Sequence, residues 1–572
     1  MTGHFTPEQQ ADLERIAAEN GRPRDDEQDG GRKPSQATRL VTLALEQVDL
    51  FRSPDGIAYV TVAVEGHTET WPLRSKRFRA WMQRALYVAD RKVPGSQAVQ
   101  DALGVLEGRA LFEAPEEAVA LRVAGDDTAV YVDLGDPTWR AIEITASGWQ
   151  LAQPPVRMRR SSSMAALPVP SAGGSIADLR RFVNVRDEAD WRLLVAWLVA
   201  ALRPRGPYPV LVLHGEHGAA KSTVARILRS LIDPNTAPLR ADPRNAHDLM
   251  ISAQNGWVTA YDNLSKLPSW LSDALCRLST GGGFATRELY SDAEETIFEA
   301  QRPAILTGIE ELATRGDLLD RALVVYLPTI SEVERSSERE LWRDFERARP
   351  RIVGALVDAV ACAVRELPQT RLDTAPRMAD FAEWIVAAEP VLPWASGDFL
   401  AAYTGNRGEA NEITLEASPI ASAVRELAGS GFEGIAAELL ERLAEIAGEA
   451  ATRRNAWPGS SRALSGELRR IAPNLRAVGI EVDFLDRKGS RRPIRIGTQR
   501  TVTTVTTVTD RSQSDGSGDV RVRATVTSEP GRDPARDGRD GRDGRSQHFS
   551  SEGTPEEEAE IDRLREKSGG RP

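Results

Sequence analysis

One stretch constrains this chain more than any other: residues 210–228 read VLVLHGEHGAAKSTVARIL. Val210, Leu211, Val212 and Leu213 form a short apolar, largely β-branched run of the kind a buried parallel strand needs. After Lys221 the apolar residues Val224, Ile227, Leu228 and Leu231 recur at helical spacing. Strand, small-residue loop and helix follow in the order that aims backbone N–H groups and the positive end of a helix at an anion. The pattern G-x-x-x-x-G-K-[ST] is met by Gly215, Lys221 and Ser222, with Ala220 at the second glycine. Lys221 is expected to reach the β/γ-phosphates of ATP and Ser222 to offer its hydroxyl to Mg²⁺. Gly218, Ala219, Ala220 and Thr223 complete the cradle. Alanine is a good helix former where the helix opens; it would cost roughly 1 kcal/mol only if that residue needs a positive φ. A chance run of small residues is the bland alternative.

A cradle alone hydrolyses nothing, because an acid on a neighbouring strand must help to hold the metal. The run GWVTAYDNL, residues 256–264, ends a strand-like segment in Asp262, against the alternative of an aspartate that merely caps a turn. Next, FATRELYSDAEETIFEAQ, residues 284–301, reads as two short strands around a turn near Asp292. RPAILTGIEEL, from residue 302, brings Thr307 to the carboxyl end of an apolar strand, where it can touch water or the γ-phosphate. RGDLLDRALVVYLP, from residue 315, sets Arg321 just before another strand.

This order resembles the superfamily 3 helicases, compact AAA+ ATPases of viral, phage and mobile-element replication. The likeness covers residues 208–328, about a fifth of the chain. It implies a phosphate loop of Gly215, Gly218, Lys221 and Ser222, a Walker B acid at Asp262 and a sensor at Thr307. Arg321 would be a finger acting on a neighbouring subunit's ATP, which implies a homo-oligomeric ring, usually a hexamer. The hairpin would grip DNA in a central channel, with Arg287 on a phosphate or on a plain solvated face. A primase is an implied partner. Ala220 departs from the pattern, Thr307 stands where asparagine is usual, and Asn263 occupies the place of a second carboxylate. Asparagine accepts no proton, so Glu310 or Glu216 would have to substitute, or hydrolysis is slow. Arg315 reads better as a surface residue than as a second trans-acting arginine, and His214 and His217 read as incidental.

The region 431–496 suggests a helix, a second helix opened by Ser461 with Leu464, Leu468, Ile471 and Leu475 inward, and two strands. That order is similar in shape to a winged helix-turn-helix. From Arg453 to Arg495 it carries eleven Lys or Arg against four Asp or Glu, in a chain of net charge −11. Arg462, Arg469, Arg470 and Arg476 would lie along the helix, with Arg487, Lys488, Arg491 and Arg492 in the wing, the footprint of DNA phosphate contact. A protein-binding module with a solvated basic face is the alternative.

The expected fold class is α/β, an AAA+ P-loop NTPase core with added modules. Residues 1–36 form an amino-terminal helix, from Thr6, and a linker; 37–165 an accessory α/β domain; 166–205 linker helices. The ATPase core takes 206–330, a helical lid 331–418, the winged-helix-like domain 419–497 and a disordered low-complexity tail 498–572. Asp133 and Asp136 in VYVDLGD invite a primase reading, but a strand with an acidic turn fits better. Cys276 and Cys362 build neither a disulfide framework nor a metal set. The start of the chain lacks an apolar signal core and no run is long enough to span a bilayer, so a cytoplasmic protein without membrane contact is expected. Three functions remain in play: an ATP-dependent DNA helicase or translocase, a DNA-binding scaffold or initiator with ATP as a switch, and a primase-helicase.

Overall fold

The computed structural model describes residues 34–498, apart from 265–266, 288–294, 309–315, 332–336, 417, 454–455 and 487–491. The early helix at Thr6, the tail, Asp292, Glu310, Arg315, Arg487, Lys488 and Arg491 therefore lie outside the described residues. The first core is built by α1 (Gln36–Leu45), the antiparallel meander β1 (Val48–Arg52), β2 (Ala58–Val64) and β3 (His67–Pro72), and helices α2 (Lys76–Asp90) and α3 (Ser96–Phe112). Val60 stands opposite Trp71, and both residues are buried with Phe78, Met82 and Leu103. Ser35 and Ser75 cap α1 and α2 by accepting from Thr38 N and Phe78 N.

The run AVALRVA, from residue 118, reads in the sequence as a strand but does not form one. It breaks at Arg122, whose φ is 64°, into β4 (Val119–Ala120) and β5 (Val123–Gly125). β5 opens a second antiparallel meander with β6 (Ala129–Asp133), β7 (Ala141–Thr145) and β8 (Gly148–Ala152), while β4 pairs with β9 (Arg157–Met158). Residues 37–165, expected as one accessory domain, divide between two hydrophobic cores. Val130, Val132, Ile142 and Ile144 of this meander lie in the same core as the central sheet and its helices, not with the first core. An antiparallel meander has one apolar face to cover, and β7 and β8 cover theirs against α9 (Glu338–Glu366), where Trp149 Nε1 donates to Asp358 at 2.8 Å.

The central sheet is parallel, in the order β11 (Thr259–Leu264), β14 (Ala304–Gly308), β10 (Val210–His214), β15 (Ala322–Tyr326). Around it lie α4 (Glu188–Ala201), α5 (Lys221–Ile232), α6 (Ala246–Asn255), α7 (Ser269–Thr280) and α8 (Gly316–Leu319). A hairpin of β12 (Gly283–Arg287) and β13 (Glu295–Glu299) precedes β14. The supposed linker α4 is a core helix, buried on every side from Leu193 to Leu202. The supposed lid, α9, α10 (Ala379–Ala388) and α11 (Asp398–Glu416), shares that same core. On α11, Asn406 accepts from Val324 N at 3.0 Å and donates to Val324 O at 2.6 Å, which satisfies the outer edge of β15 as a fifth strand would.

The last core is separate. It comprises α12 (Ala421–Ser430), β16 (Phe432–Ile435), α13 (Ala436–Thr452), α14 (Ser461–Ala477), β17 (Ile480–Phe484) and β18 (Pro493–Thr498), with strand order β16-β18-β17. Leu464, Leu468, Ile471 and Leu475 face inward, and α14 opens at Ser461 with Ser460 as its cap. Strand β16, with Glu433 and Gly434 in four residues, carries no pattern that announces it. Among the described residues no helix is long and apolar enough to cross a membrane.

Candidate functional site

The carboxyl ends of β10, β14 and β11 bring the predicted residues of the loop together. Strand β14 lies between the other two, so Thr307 stands on the strand between the one that feeds the loop and the one that carries Asp262. Ser222 Oγ donates to Asp262 Oδ1 at 2.8 Å, and Thr307 Oγ1 donates to the same oxygen at 2.5 Å. A bulge between Tyr261 and Leu264 turns the Asp262 carboxylate toward the loop. Asn263 occupies it with φ 56°, and its N–H donates to Thr307 Oγ1 at 2.9 Å.

The loop closes around the Lys221 ammonium, which donates to Gly215 O at 2.7 Å and Glu216 O at 2.8 Å. Burial lowers the Lys221 pKa, while the Asp262 carboxylate pulls it back up. Gly215 and Gly218 both take positive φ, 156° and 84°, and a Cβ on Gly215 would stand 2.3 Å from Leu327 O. Ala219 is buried, and its carbonyl accepts from Asn184 Nδ2 at 3.1 Å, a side chain that also donates to Pro328 O at 2.7 Å. Thr223 follows in the first turn of α5.

Ala220 does not have the helical backbone expected of a helix opener. Its φ and ψ are 55° and 26°, left-handed, just before α5 begins. The cost raised by the sequence therefore applies. Ala220→Gly is expected to raise stability by about 1 kcal/mol, read as a higher urea midpoint with an unchanged slope. A lower midpoint would show that this backbone is not strained.

Arg321 is not brought to this site. Its carbonyl accepts from Val210 N, at the opposite end of β10, roughly 15 Å along the sheet from its own loop. Its guanidinium donates to Asp317 O at 2.8 Å, and its Nε has no acceptor among the described residues. Arg287 ends β12, opposite Glu295. His214 packs 5.4 Å from the Tyr326 ring. Glu216 aims its carboxylate at Thr329, 3.5 Å away. The Asp133 carboxylate is occupied by Arg160, at 2.5 Å, and Asp136 by Arg140, at 2.7 Å.

On α14, Arg462, Arg469 and Arg476 are exposed and seven residues apart, so they form one stripe. Arg470 does not belong to it: its guanidinium is tied to Glu467 at 2.6 Å. Arg469 and Arg492 both lean on the Phe484 ring, at 4.7 and 6.0 Å, which links helix and hairpin.

Residues 176–403 match the family model described as "Actinomycete integrative conjugative element replication protein", and residues 420–512 match the one described as "AICE RepA C-terminal domain". Together these matches support a replication protein of a mobile element. The first spans α4 to the start of α11 with the whole loop site, and the second spans the last core. No curated protein matches the chain. Among solved structures, "The A form apo structure of NrS-1 C terminal region-CTR" is 11% identical at a TM-score of 0.37, covering 81% of this chain and 99% of that one. "The apo structure of NrS-1 C terminal region (305-718)" is also 11% identical, at 0.36 with 81% and 99% coverage. Likenesses this loose leave the reading on the geometry of the site.

Sequence reasoning missed the groups that hold the site from behind. Asp233, at the end of α5, is 1% exposed, and Arg122 is fully buried. Arg122 Nε donates to Asp233 Oδ1 at 3.0 Å, and its other nitrogens donate to Asp133 O, Ala165 O and Pro234 O. Asp233 Oδ2 accepts from Trp257 N at 2.9 Å and Val258 N at 3.1 Å, the two residues that lead into β11. Buried Arg229 lies 3.7 Å from the same carboxylate, and burial lowers its pKa. One carboxylate thus ties the helix that begins at Lys221 to the strand that carries Asp262. The only sequence signal is a set of charged residues at otherwise apolar positions.

Proposed function

We propose that the chain is an ATP-dependent motor that moves along or opens DNA during replication of the element that carries it. One observation carries this reading: the hydroxyls of Ser222 and Thr307 converge on Asp262 Oδ1 beside a loop wrapped around the Lys221 ammonium. That donor set fits a magnesium triphosphate. Ser222 and Asp262 would hold Mg²⁺, Lys221 would exchange its loop carbonyls for phosphate oxygens, and the N–H groups that open α5 would face the anion. When bound, ATP supplies the phosphoanhydride whose cleavage drives movement. The AAA+ assignment rests on the order of these parts along the chain together with the sensor position of Thr307 between loop and acid. Arg321 stands too far from its own loop to serve it, which suits an arginine acting on the next protomer of a ring. The helices and three-stranded sheet of the last core suit a winged helix with α14 toward DNA and Arg462, Arg469 and Arg476 on phosphates.

Asn263 favours a second reading, a replication initiator that uses ATP as a structural switch. Asn263 itself stands at the bulge, and Glu216, of the two acids expected to substitute for a second carboxylate the one among the described residues, is directed at Thr329. The test is nucleotide binding with Mg²⁺, turnover with and without single-stranded DNA, and particle mass. The motor predicts binding, DNA-stimulated turnover and a mass several times that of one chain. Arg321→Ala should then lose about 10³-fold in turnover at unchanged nucleotide affinity. Binding without stimulated turnover would favour the switch, and normal hydrolysis by Arg321→Ala would remove the ring.

A further inference from the structure

The first core carries a charged face that none of the chemistry above employs. From Lys76 to Lys92 the sequence holds six Lys or Arg and one acid, Asp90, although the whole chain has a net charge of −11. Helix α2 turns Phe78, Met82 and Leu86 inward. Its outer side presents Lys76, Gln83, Arg84 and Tyr87, and the left-handed cap at Arg91 adds Arg91 and Lys92 at the far end. The lone acid is already taken, since Asp90 accepts from Arg39 at 3.3 Å. Arg77 is also engaged, 2.6 Å from Glu69 and 5.0 Å over the Trp71 ring.

Arg79 is half-buried beside the Gln100 amide; Lys76, Arg84, Arg91 and Lys92 remain, all exposed and none with an ion-pair partner among the described residues. Other surface arginines do meet carboxylates: Arg140 meets Asp136, Arg226 meets Glu338 and Arg442 meets Glu445. Four like charges without carboxylates repel one another and are relieved by a polyanion. Tyr87 stands among them, 50% exposed, with the Arg91 guanidinium 5.8 Å from its ring centre. An aromatic face flanked by cations is what stacks a base while the backbone is held. The row is about 22 Å long, enough for on the order of four to six nucleotides.

We propose that this face of α2 binds single-stranded DNA, with Lys76, Arg84, Arg91 and Lys92 on phosphates and Tyr87 under a base. It is a second contact surface, on a different core from the α14 stripe. It rests on the reading that the chain acts on DNA, but on neither the nucleotide site nor α14.

The test titrates the full chain against labelled oligothymidylate and labelled duplex across a salt series. Combined Lys76→Ala, Arg84→Ala, Arg91→Ala and Lys92→Ala should weaken oligothymidylate binding and flatten the slope of log K against log salt by about 0.7 per contact, near 3 in all. Tyr87→Ala should lose about 5- to 100-fold in affinity with the slope kept. Arg84→Lys with Arg91→Lys should keep the slope, which separates lost charge from lost structure. Wild-type binding by the fourfold variant, with loss confined to Arg462→Ala, Arg469→Ala and Arg476→Ala, would overturn the proposal and leave the DNA reading intact. Loss seen only for duplex would overturn it as well. A wild-type chain that binds no DNA removes both.

Discussion

Asp233→Ala should cost the folded chain about 3–5 kcal/mol. The carboxylate is 1% exposed and serves Arg122, Arg229 and the N–H groups of Trp257 and Val258. Removing it leaves the Arg122 and Arg229 charges buried without their counter-ion, although each keeps backbone carbonyls, and leaves the Trp257 and Val258 N–H groups without their acceptor. Much of the cost is this orphaning of partners, not the net worth of the pair, so replacing Arg122 and Asp233 together should cost less than the two single changes summed. Domains are stable by only about 5–15 kcal/mol, so the single variant should sit near unfolding at room temperature. Chemical denaturation of Asp233→Ala, Arg122→Met and the double variant measures the cycle. A loss below about 1 kcal/mol for Asp233→Ala would mean that these groups behave as a surface pair and do not anchor β11 to α5.

Lys221→Ala should leave stability nearly unchanged and weaken Mg²⁺–nucleotide binding by about 10- to 150-fold, the worth of a charge-assisted hydrogen bond. The amine bonds only two carbonyls of its own loop, and water can replace it there. A bound triphosphate would lose a direct charge-assisted contact, which water replaces less well. Turnover should fall further than affinity, since charge builds on the transferred group only as it departs. Calorimetric titration beside a thermal melt checks both halves. Equal nucleotide affinity in variant and wild type would sink the phosphate-loop reading, and with it the motor.

Much of the local structure was legible in the residues. The β-branched runs IAYVTVAVEG, from residue 57, and TETWPL, from residue 68, read as a hairpin and form β2 and β3, and helical spacing predicted which side of α14 is buried. Strand, loop and helix around Lys221 follow from a β-branched run, small residues and an amphipathic segment. These features are set within one or two turns of chain, where backbone geometry dictates which side chains share a face. The short strands β1, β8 and β16 carried too little pattern to be read this way.

What the chain could not reveal locally depends on which surfaces meet. The backbone at Ala220 is left-handed because Gly215 lies against Leu327 and the loop must still enter α5. Thr307 reaches Asp262 because β14 inserts between two strands that are distant from it in sequence. Arg122 and Asp233 find each other across 111 residues, and Arg321 is carried to the far end of the sheet by the register of β15 on β10. The meander of β5 to β8 joins the central core because its apolar face is met by α9. Periodicity fixes the face a segment will bury; the partner that covers that face is chosen by packing over the whole molecule, and short-range pattern does not contain it.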